Sequence, residues 1–286
     1  MKRPDDIRRA VSISYARAVG QIGAAGGSCC SGPAARGIAT TLAGYDRDAL
    51  AALPADAVAG SFGCGNPVAL AQIREGDTVL DLGSGAGIDL LLAAKSAGPV
   101  GKVIGVDMTP EMSERARASA AAVGLENVEV LEGIIEDLPV ESGSIDLVLS
   151  NCVINLSPEK ERVFAELHRV LKAGGRISIY DIMAEPMPDW IEAEGLLHSA
   201  CIAGAIPEPA YIEGLRKAGL VDVEVRDRLT YDAAQLRALL DAETAGACCC
   251  GSEPLPRDQL ERVTEALAGK VASIRVVGRK PEEVFP

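Results

Sequence analysis

From Thr78 onward, short apolar runs alternate along the chain with longer stretches in which apolar and polar positions are mixed. The short runs have the length and composition of buried strands, and the longer stretches have those of helices. Strands separated by helices in this way indicate βαβ units and a parallel sheet. The predicted strands are TVLDLG (78–83), KVIGVDM (102–108), VEVLEG (128–133), IDLVLSN (145–151) and RISIYDI (176–182).

Helices are predicted between these strands and again after them. The helix over 110–124 begins at a proline and stops at a glycine, the residue types that favour those two ends. After Ile182 helical stretches dominate. The predicted helices of the alternating part are GIDLLLAAKSAG (87–98), PEMSERARASAAAVG (110–124) and PEKERVFAELHRVLKAGG (158–175), and the candidates for late strands are VDVEVRDRLTY (221–231) and ASIRVVGRK (272–280).

The chain divides into three predicted regions. Residues 1–56 begin with a helix that carries Tyr15 and continue into a glycine-rich loop, GAAGGSCCSGPAARG. Residues 57–184 hold the α/β core, and residues 185–286 form a mostly helical C-terminal region. We therefore predict an α/β protein with an N-terminal cysteine-bearing arm and a C-terminal region that contributes to substrate binding.

Composition and charge narrow the function. Of the 286 residues 48% are hydrophobic, enough for a sizeable core, and the formal net charge of −13 disfavours nucleic acid as a partner. The first twenty residues lack the continuous apolar segment of a secretory signal, and we find no run long enough to span a membrane. We therefore expect a cytoplasmic protein without a membrane partner. In that compartment, the eight cysteines favour ligation or catalysis over structural disulfides.

A glycine-rich turn follows the first predicted strand. In VLDLGSGAGID, Gly83, Gly85 and Gly87 stand between the strand and the next helix, where the backbone can approach a ligand and helix N–H groups are unpaired. The spacing G-x-G-x-G differs from that of dinucleotide-binding folds. Asp81 at the end of this strand would repel a pyrophosphate but accept an amino group. Tight packing of helix on sheet remains an equal alternative for Gly87.

Two further loops extend this site in order along the chain. Asp107 closes the second strand, where a carboxylate can accept hydrogen bonds from both hydroxyls of a ribose. After the third strand, EGIIEDLP could frame an adenine, with Ile135 giving backbone contact and Glu136 accepting from the exocyclic amine. The glycine turn, the two aspartates and the third loop together indicate a nucleoside-type ligand.

This ordered set resembles the class I S-adenosylmethionine-dependent methyltransferases over roughly residues 76 to 182. The resemblance implies a Rossmann-like sheet with helices on both faces. It also implies S-adenosylmethionine as methyl donor and no permanently bound metal. The residues expected to hold the donor are Asp81, Gly83, Ser84, Gly85, Gly87, Asp107, Met108, Ile135, Glu136 and Asn151.

Several cysteines stand in unusual surroundings. Cys152 follows the fourth strand, where open α/β sheets bind their ligands, and Cys64 lies between glycines before the core. Cys201 lies in a later helical stretch, and Cys29 and Cys30 lie in the N-terminal loop. Cys-x-x-Cys pairs typical of zinc sites are absent. Separated thiols that converge on one site would suit a soft centre such as trivalent arsenic.

The segments FGCGNPVALAQIREGDTVLDLGSGAGIDLLLAAK, GKVIGVDMTPEM, SNCVINLSPEKERVF and CIAGAIP resemble the arsenite S-adenosylmethionine methyltransferase family. This resemblance covers most of residues 45 to 225. It implies that Cys152 and Cys201 hold arsenic throughout the reaction and that Cys64 is the third ligand. It also implies that the SCC stretch exchanges a disulfide with Cys64 during turnover, through either Cys29 or Cys30.

The sequence therefore predicts a detoxifying enzyme that methylates trivalent arsenic bound by cysteine thiolates. The expected substrates are arsenite or arsenic–glutathione complexes, the expected reductant is thioredoxin or glutathione, and the default assembly is a monomer. Two alternatives stay open: a methyltransferase of this fold that acts on a carbon or oxygen nucleophile, for which His198 is the one candidate base, and a non-catalytic protein that sequesters arsenic or metal. Cys248, Cys249 and Cys250 are interpreted either as scavengers of soft metal or as carriers of arsenic to the site.

Overall fold

The computed structural model describes residues 3–20, 44–188, 190–191, 202, 204–244 and 257–282. Seven strands in these ranges form one sheet. The strands are β1 Thr78–Leu82, β2 Lys102–Asp107, β3 Val128–Glu132, β4 Ile145–Asn151, β5 Leu171–Ala184, β6 Val221–Thr230 and β7 Val271–Arg279.

The strands are ordered β3-β2-β1-β4-β5-β7-β6. β1 to β5 pair in parallel, whereas β7 is antiparallel to both β5 and β6. The chain leaves β1 towards β2 and β3 on one side and returns to β4 on the other. This arrangement places a topological switch point between β1 and β4, at whose carboxyl ends open α/β sheets bind ligands.

Helices cover the sheet and lie at its edges. α1 is the long N-terminal helix, and a short 3-10 turn over Ile154–Leu156 follows β4. The described part of the chain has no helix that combines the length and the apolar composition needed to span a membrane. The helices are α1 Pro4–Gly20, α2 Arg47–Ala51, α3 Ala55–Ala59, α4 Ile88–Ala97, α5 Pro110–Ala122, α6 Lys160–Val170, α7 Glu208–Lys217, α8 Ala233–Thr244 and α9 Arg257–Leu267.

Alternation along β1 shows how the two faces of the sheet are filled. Leu80 and Leu82 belong to the apolar cluster that contains Phe164 of α6, whereas Val79 belongs to the cluster that contains Leu90 of α4. Successive side chains of a strand point to opposite faces, so a strand covered on both faces is apolar throughout. The apolar run at β1 is therefore the signature of a central parallel strand.

The predicted strands and helices are present, with one clear difference at a boundary. The helix predicted over 158–175 ends at Val170, and the chain enters β5 at Leu171, which pairs with Ile145. Leu171 is fully buried in the same cluster as the apolar face of α6, so its hydrophobicity fits either structure. Both late strand candidates are confirmed as β6 and β7.

Candidate functional site

A cavity opens at the carboxyl ends of β1 and β4, at the switch point of the sheet. Its empty volume is about 930 Å³, which includes open solvent at the mouth. Residues from α1, the segment before β1 and the loops after β1 to β4 contribute to its walls. The predicted donor-site residues in this lining are Asp81, Gly83, Ser84, Gly85, Asp107, Met108, Ile135, Glu136 and Asn151.

Carboxylates dominate the polar part of this cavity. Asp81 and Asp89 are buried, and Asp107 follows them at the end of β2. Asp81 Oδ2 and the neighbouring Ser84 Oγ have no hydrogen-bond partner among the described residues. In the described lining Arg8 is the one basic side chain, and it pairs with glutamates. Buried carboxylates without a basic partner suit a ligand that brings positive charge and hydrogen-bond donors.

The environment of these aspartates raises their pKa values. Burial raises the pKa of Asp81 well above its ordinary value, and the charges of Asp89 and Asp107 add to the effect. Burial also raises the pKa of Asp89 to about 6, against the opposing effect of hydrogen bonds from Asn151 and Tyr45. The pKa of Asp107 is raised by burial as well. Perturbed carboxyl groups that share one cavity are typical of a functional site.

The glycine turn after β1 forms part of the wall of this cavity. Gly83 has a φ of 61°, and a Cβ at this position would lie 2.4 Å from Val153 Cγ2. Gly85 also has a positive φ, and its N–H donates to Asp107 Oδ2 over 3.0 Å. Gly87 begins α4 outside the cavity lining, and a Cβ there would lie 3.4 Å from Ala116. Gly87 therefore packs against α5, whereas the predicted alternative was packing of helix on sheet, and its predicted contact with the donor stays a prediction.

The second and third loops carry the other predicted donor-site residues. Asp107 Oδ1 accepts the N–H of Thr109 over 2.8 Å, so both carboxylate oxygens hold backbone N–H groups while the side chain still lines the cavity. Glu136 is buried, and its Oε1 accepts from Ser157 Oγ over 2.6 Å and from Arg8 Nε over 3.1 Å. The predicted contacts to ribose and adenine stay predictions.

The N-terminal helix lies against the cavity. Arg8 of α1 forms ion pairs with Glu136 and with Glu159, which precedes α6. Further along α1, the ring of Tyr15 packs edge-on against Phe62 with 5.3 Å between ring centroids. Arg8, Tyr15 and Phe62 all line the cavity. The N-terminal helix α1 therefore forms part of the cavity wall.

Two of the predicted arsenic ligands meet beside this cavity. Cys64 and Cys152 form a disulfide with 5.9 Å between their Cα atoms, although 88 residues separate them in sequence. Cys152 directly follows β4 and lines the cavity, and its φ of 59° is rare for a non-glycine residue. Its N–H donates to the carbonyl of Tyr180 over 2.8 Å, which holds this strained backbone against β5.

Comparisons with known proteins agree with this geometry. A family profile described as "Methyltransferase domain" matches residues 73–240. The chain is 46% identical over 200 residues to an arsenite methyltransferase of Halobacterium salinarum, covering 70% of this chain and 51% of that protein. The crystal structure of an arsenic(III) S-adenosylmethionine methyltransferase, CrArsM from Chlamydomonas reinhardtii, aligns with a TM-score of 0.64 and 33% identity over 82% of this chain and 73% of that one.

The chain belongs to the arsenite S-adenosylmethionine methyltransferase family. Its fold is that of the class I methyltransferases, as the sequence predicts. An arsenite methyltransferase of Homo sapiens is 35% identical over 155 residues, which is 51% of this chain and 41% of that protein. The chain spans about half the length of the curated relatives that it matches.

The structure brings two of the cysteines that the family resemblance singles out into contact. A disulfide between Cys64 and Cys152 was not predicted, and the predicted exchange of Cys64 with the SCC stretch stays a prediction. Among the described residues no three His, Cys, Asp or Glu side chains form a metal-binding group. The remaining candidates lie outside the described residues, so their roles stay predictions: Cys29, Cys30, Cys201, His198, Cys248, Cys249 and Cys250.

Three side chains in or next to the cavity wall were missed by sequence reasoning. Asp89 lies in the first turn of α4, and it accepts a hydrogen bond from Tyr45 over 2.7 Å. Arg8 reaches the site from α1. A carboxylate in the first turn of an otherwise apolar helix, directly after the glycine turn, is a signal that could have identified Asp89. Tyr45 and Arg8 lie far from the motifs and carry no such signal.

Proposed function

We propose that this chain transfers methyl groups from S-adenosylmethionine to trivalent arsenic held by cysteine thiolates. The observation that carries the proposal is the position of Cys152, which lines the cavity at the switch point and also reaches Cys64. Family relatives named as arsenite methyltransferases support the same substrate. Methylation of arsenic would serve its detoxification.

The residues of the cavity fit the methyl donor. Its ammonium and sulfonium groups would place positive charge near the buried carboxylates of Asp81 and Asp89. Asp81 Oδ2, which has no hydrogen-bond partner among the described residues, would accept a hydrogen bond from the amino group. The raised pKa values of these carboxyl groups support a cationic ligand, because a nearby positive charge favours their ionised form. Asp107, Ile135 and the glycine turn would hold the nucleoside part.

When bound, S-adenosylmethionine supplies an electrophilic methyl group on sulfur, which the arsenic lone pair can attack without a base, leaving S-adenosylhomocysteine. The chain's own work is to bind arsenic and to place it in line with this group, since orientation lowers the barrier. Cys64 and Cys152 lie close enough to share one arsenic atom. Ile202, next to Cys201 in sequence, is buried in the same apolar cluster as Cys152, which supports Cys201 as the ligand that holds arsenic together with Cys152.

The disulfide between Cys64 and Cys152 must open before these thiolates can bind arsenic. Two thiols of glutathione, or the dithiol of thioredoxin, would reduce it to two cysteine thiols and leave as the corresponding disulfide. Exchange with the thiol of Cys29 or Cys30 would free one of the two sulfurs and leave the other in a new disulfide, which the same external thiols would then reduce. Thiolates form from thiols of pKa about 8.5, so activity would favour mildly alkaline pH unless the site lowers that value.

The test compares arsenite with monomethylarsonous acid as substrates for the fully reduced protein. Arsenite offers three positions to thiolates and monomethylated arsenic offers two. Cys64→Ser is therefore expected to lose methylation of arsenite while retaining methylation of the monomethylated substrate. Equal loss with both substrates would contradict the role of Cys64 as the third ligand. Transfer to a carbon or oxygen acceptor without any transfer to arsenic would contradict the proposed function itself.

A further inference from the structure

The side chain of Asn151 holds the loop that carries Cys64. Its Oδ1 accepts the N–H of Cys64 over 2.9 Å and the N–H of Gly65 over 3.2 Å. Its Nδ2 lies 2.8 Å from the carbonyl oxygen of Gly65. One amide side chain at the end of β4 thus fixes the backbone on both sides of the Cys64 peptide.

The same amide also contacts the methyl-donor cavity. Asn151 Nδ2 lies 2.9 Å from Asp89 Oδ2 and 3.0 Å from the hydroxyl of Tyr45, which in turn donates to Asp89 Oδ1. Asp89 lines the cavity and has no basic partner among the described residues of its wall. Asn151 therefore connects a carboxylate of the cavity wall with the backbone of Cys64.

Close packing restricts the movement of the Asn151 side chain against the loop that carries Cys64. A Cβ on Gly63 would lie 2.2 Å from Asn151 Nδ2, so the loop passes directly over the amide plane. Asn151 is also the residue before Cys152, whose backbone is held to β5. A small displacement of the amide would move Cys64 relative to Cys152, because Cys64 is hydrogen-bonded to the amide whereas the backbone of Cys152 is held by Tyr180.

We propose that Asn151 is a positioning residue that couples occupancy of the cavity to the placement of Cys64 beside Cys152. A ligand in the cavity restrains Asp89, Asp89 restrains the amide, and the amide restrains the Cys64 loop. Ordering the loop in advance lowers the entropic cost of bringing the two sulfurs together. The inference deepens the proposed function, on which it rests for the meaning of the two thiols.

The test measures the rate at which Cys64 and Cys152 form their disulfide in the reduced 286-residue chain, with and without saturating S-adenosylhomocysteine. Excess oxidised glutathione accepts the two electrons and leaves as two molecules of reduced glutathione. Samples are quenched with N-ethylmaleimide, and the Cys64–Cys152 peptide is quantified by mass spectrometry. The nucleoside is expected to accelerate the reaction about five-fold or more in the wild-type chain, the lower range of coupling between sites.

Asn151→Ala removes every contact of the amide. The rate of disulfide formation with S-adenosylhomocysteine divided by the rate without it should therefore fall to about one. Asn151→Ser provides a second variant whose short hydroxyl cannot span Asp89 and the loop. Asp89→Asn keeps an acceptor for Asn151 but removes the charge, and it should give an intermediate ratio. Asn66→Ala is the matched control, because Asn66 accepts the N–H of Ala69 in the same loop and should keep the wild-type ratio.

Calorimetric titration with S-adenosylhomocysteine shows which variants bind it, and each ratio is measured at saturation. The inference is overturned if the wild-type rate does not respond to the nucleoside, or if a nucleoside-binding Asn151 variant keeps the wild-type ratio. A merely structural role of Asn151 would change both rates and leave their ratio unaltered. The disulfide assay contains no arsenic, so its result does not depend on arsenic methylation. A chain that failed to methylate arsenic would overturn the proposed function, and the effect of the nucleoside on disulfide formation would still be interpretable.

Discussion

Arg8 Nε lies 3.1 Å from Glu136 Oε1, and this contact joins two segments that are 128 residues apart in sequence. Arg8 also pairs with Glu159 in front of α6. The Arg8 side chain is 13% exposed and that of Glu136 is 3% exposed, so the pair is shielded from solvent. The N-terminal helix is thereby fixed over the wall of the cavity in which we place the methyl donor.

Replacing Arg8 should therefore weaken binding in this cavity. Arg8→Gln removes the charge that faces buried Glu136, and an unpaired buried carboxylate is unfavourable. We expect the Kd for S-adenosylhomocysteine to rise about ten-fold, equivalent to about 1.4 kcal/mol. Isothermal titration calorimetry measures it. Arg3→Gln is the matched control, since Arg3 pairs with exposed Asp6 at the start of the same helix, and equal weakening by both variants would refute the role of Arg8.

Two glycines of the turn after β1 should respond differently to alanine. Both have positive φ, so each substitution should lower the free energy of unfolding by about 1–2 kcal/mol. The Cβ of Gly83→Ala would also meet Val153 at 2.4 Å, whereas that of Gly85→Ala would meet its nearest atom at 3.9 Å. Urea unfolding should show the larger loss for Gly83→Ala, together with loss of S-adenosylhomocysteine binding. Equal losses would contradict the packing described.

Binding of the nucleoside should strengthen as Asp89 ionises. Burial raises the pKa of Asp89 to about 6, and Asp81 and Tyr45 face it within the site. A ligand with an ammonium group binds the charged carboxylate better, so affinity should rise between pH 5 and pH 7.5, up to about ten-fold for each unit of pKa shift. Asp89→Asn should flatten this profile, and the control Asp56→Asn, outside the cavity lining, should not. An unchanged slope in Asp89→Asn would assign the pH dependence to another group.

A second buried carboxyl group lies away from the cavity and should control stability. Asp181 of β5 accepts from Tyr211 over 3.2 Å, and burial raises its pKa to about 7 against the opposing charge of Lys160. The folded chain holds this proton more tightly than the unfolded chain. The stabilisation is thus complete below pH about 4 and is lost as the pH rises towards about 7.

Asp181→Asn tests this assignment by urea unfolding at pH 5 and pH 8. The wild-type chain should lose on the order of 3 kcal/mol more than the variant between these values, because about 1.4 kcal/mol is lost for each pH unit between pH 5 and the pKa of about 7. Asp227→Asn is a suitable control, because Asp227 is an exposed partner of Tyr180. Parallel pH profiles for wild type and Asp181→Asn would show that Asp181 does not titrate in this range.

The sequence predicts the strands of the sheet well because the apolar residues within each strand are enough to identify it. The apolar run that includes Leu80 and Leu82 is buried on both faces, and its length and the following glycines specify a central strand without reference to the rest of the chain. The end of α6 was not predictable in this way. Leu171 is apolar in a helix and in a strand alike, and its pairing with Ile145 decides between them.

In the candidate site as well, residues of contiguous motifs were predictable from the sequence, whereas contacts made by tertiary packing were not. Asp81 and the glycine turn form one contiguous motif, whereas Arg8 reaches the cavity, and Tyr45 reaches Asp89 in its wall, only through tertiary packing. Cys64 and Cys152 were singled out by their surroundings and given their roles by the family resemblance, but their pairing is a contact across 88 residues that spacing alone does not encode. Asn151 was predicted as a cofactor residue, and its hold on the Cys64 loop became visible only in the structure.

The central claim is that arsenic bound at Cys152 receives the methyl group. Transfer of labelled methyl from S-adenosylmethionine to arsenite, in the presence of glutathione and thioredoxin, tests it with wild type, Cys152→Ser and Ser150→Ala, two residues earlier in β4. The account predicts methylated arsenic from wild type and from Ser150→Ala, and none from Cys152→Ser, although all three bind S-adenosylhomocysteine. Methylated arsenic from Cys152→Ser at the wild-type rate would contradict it.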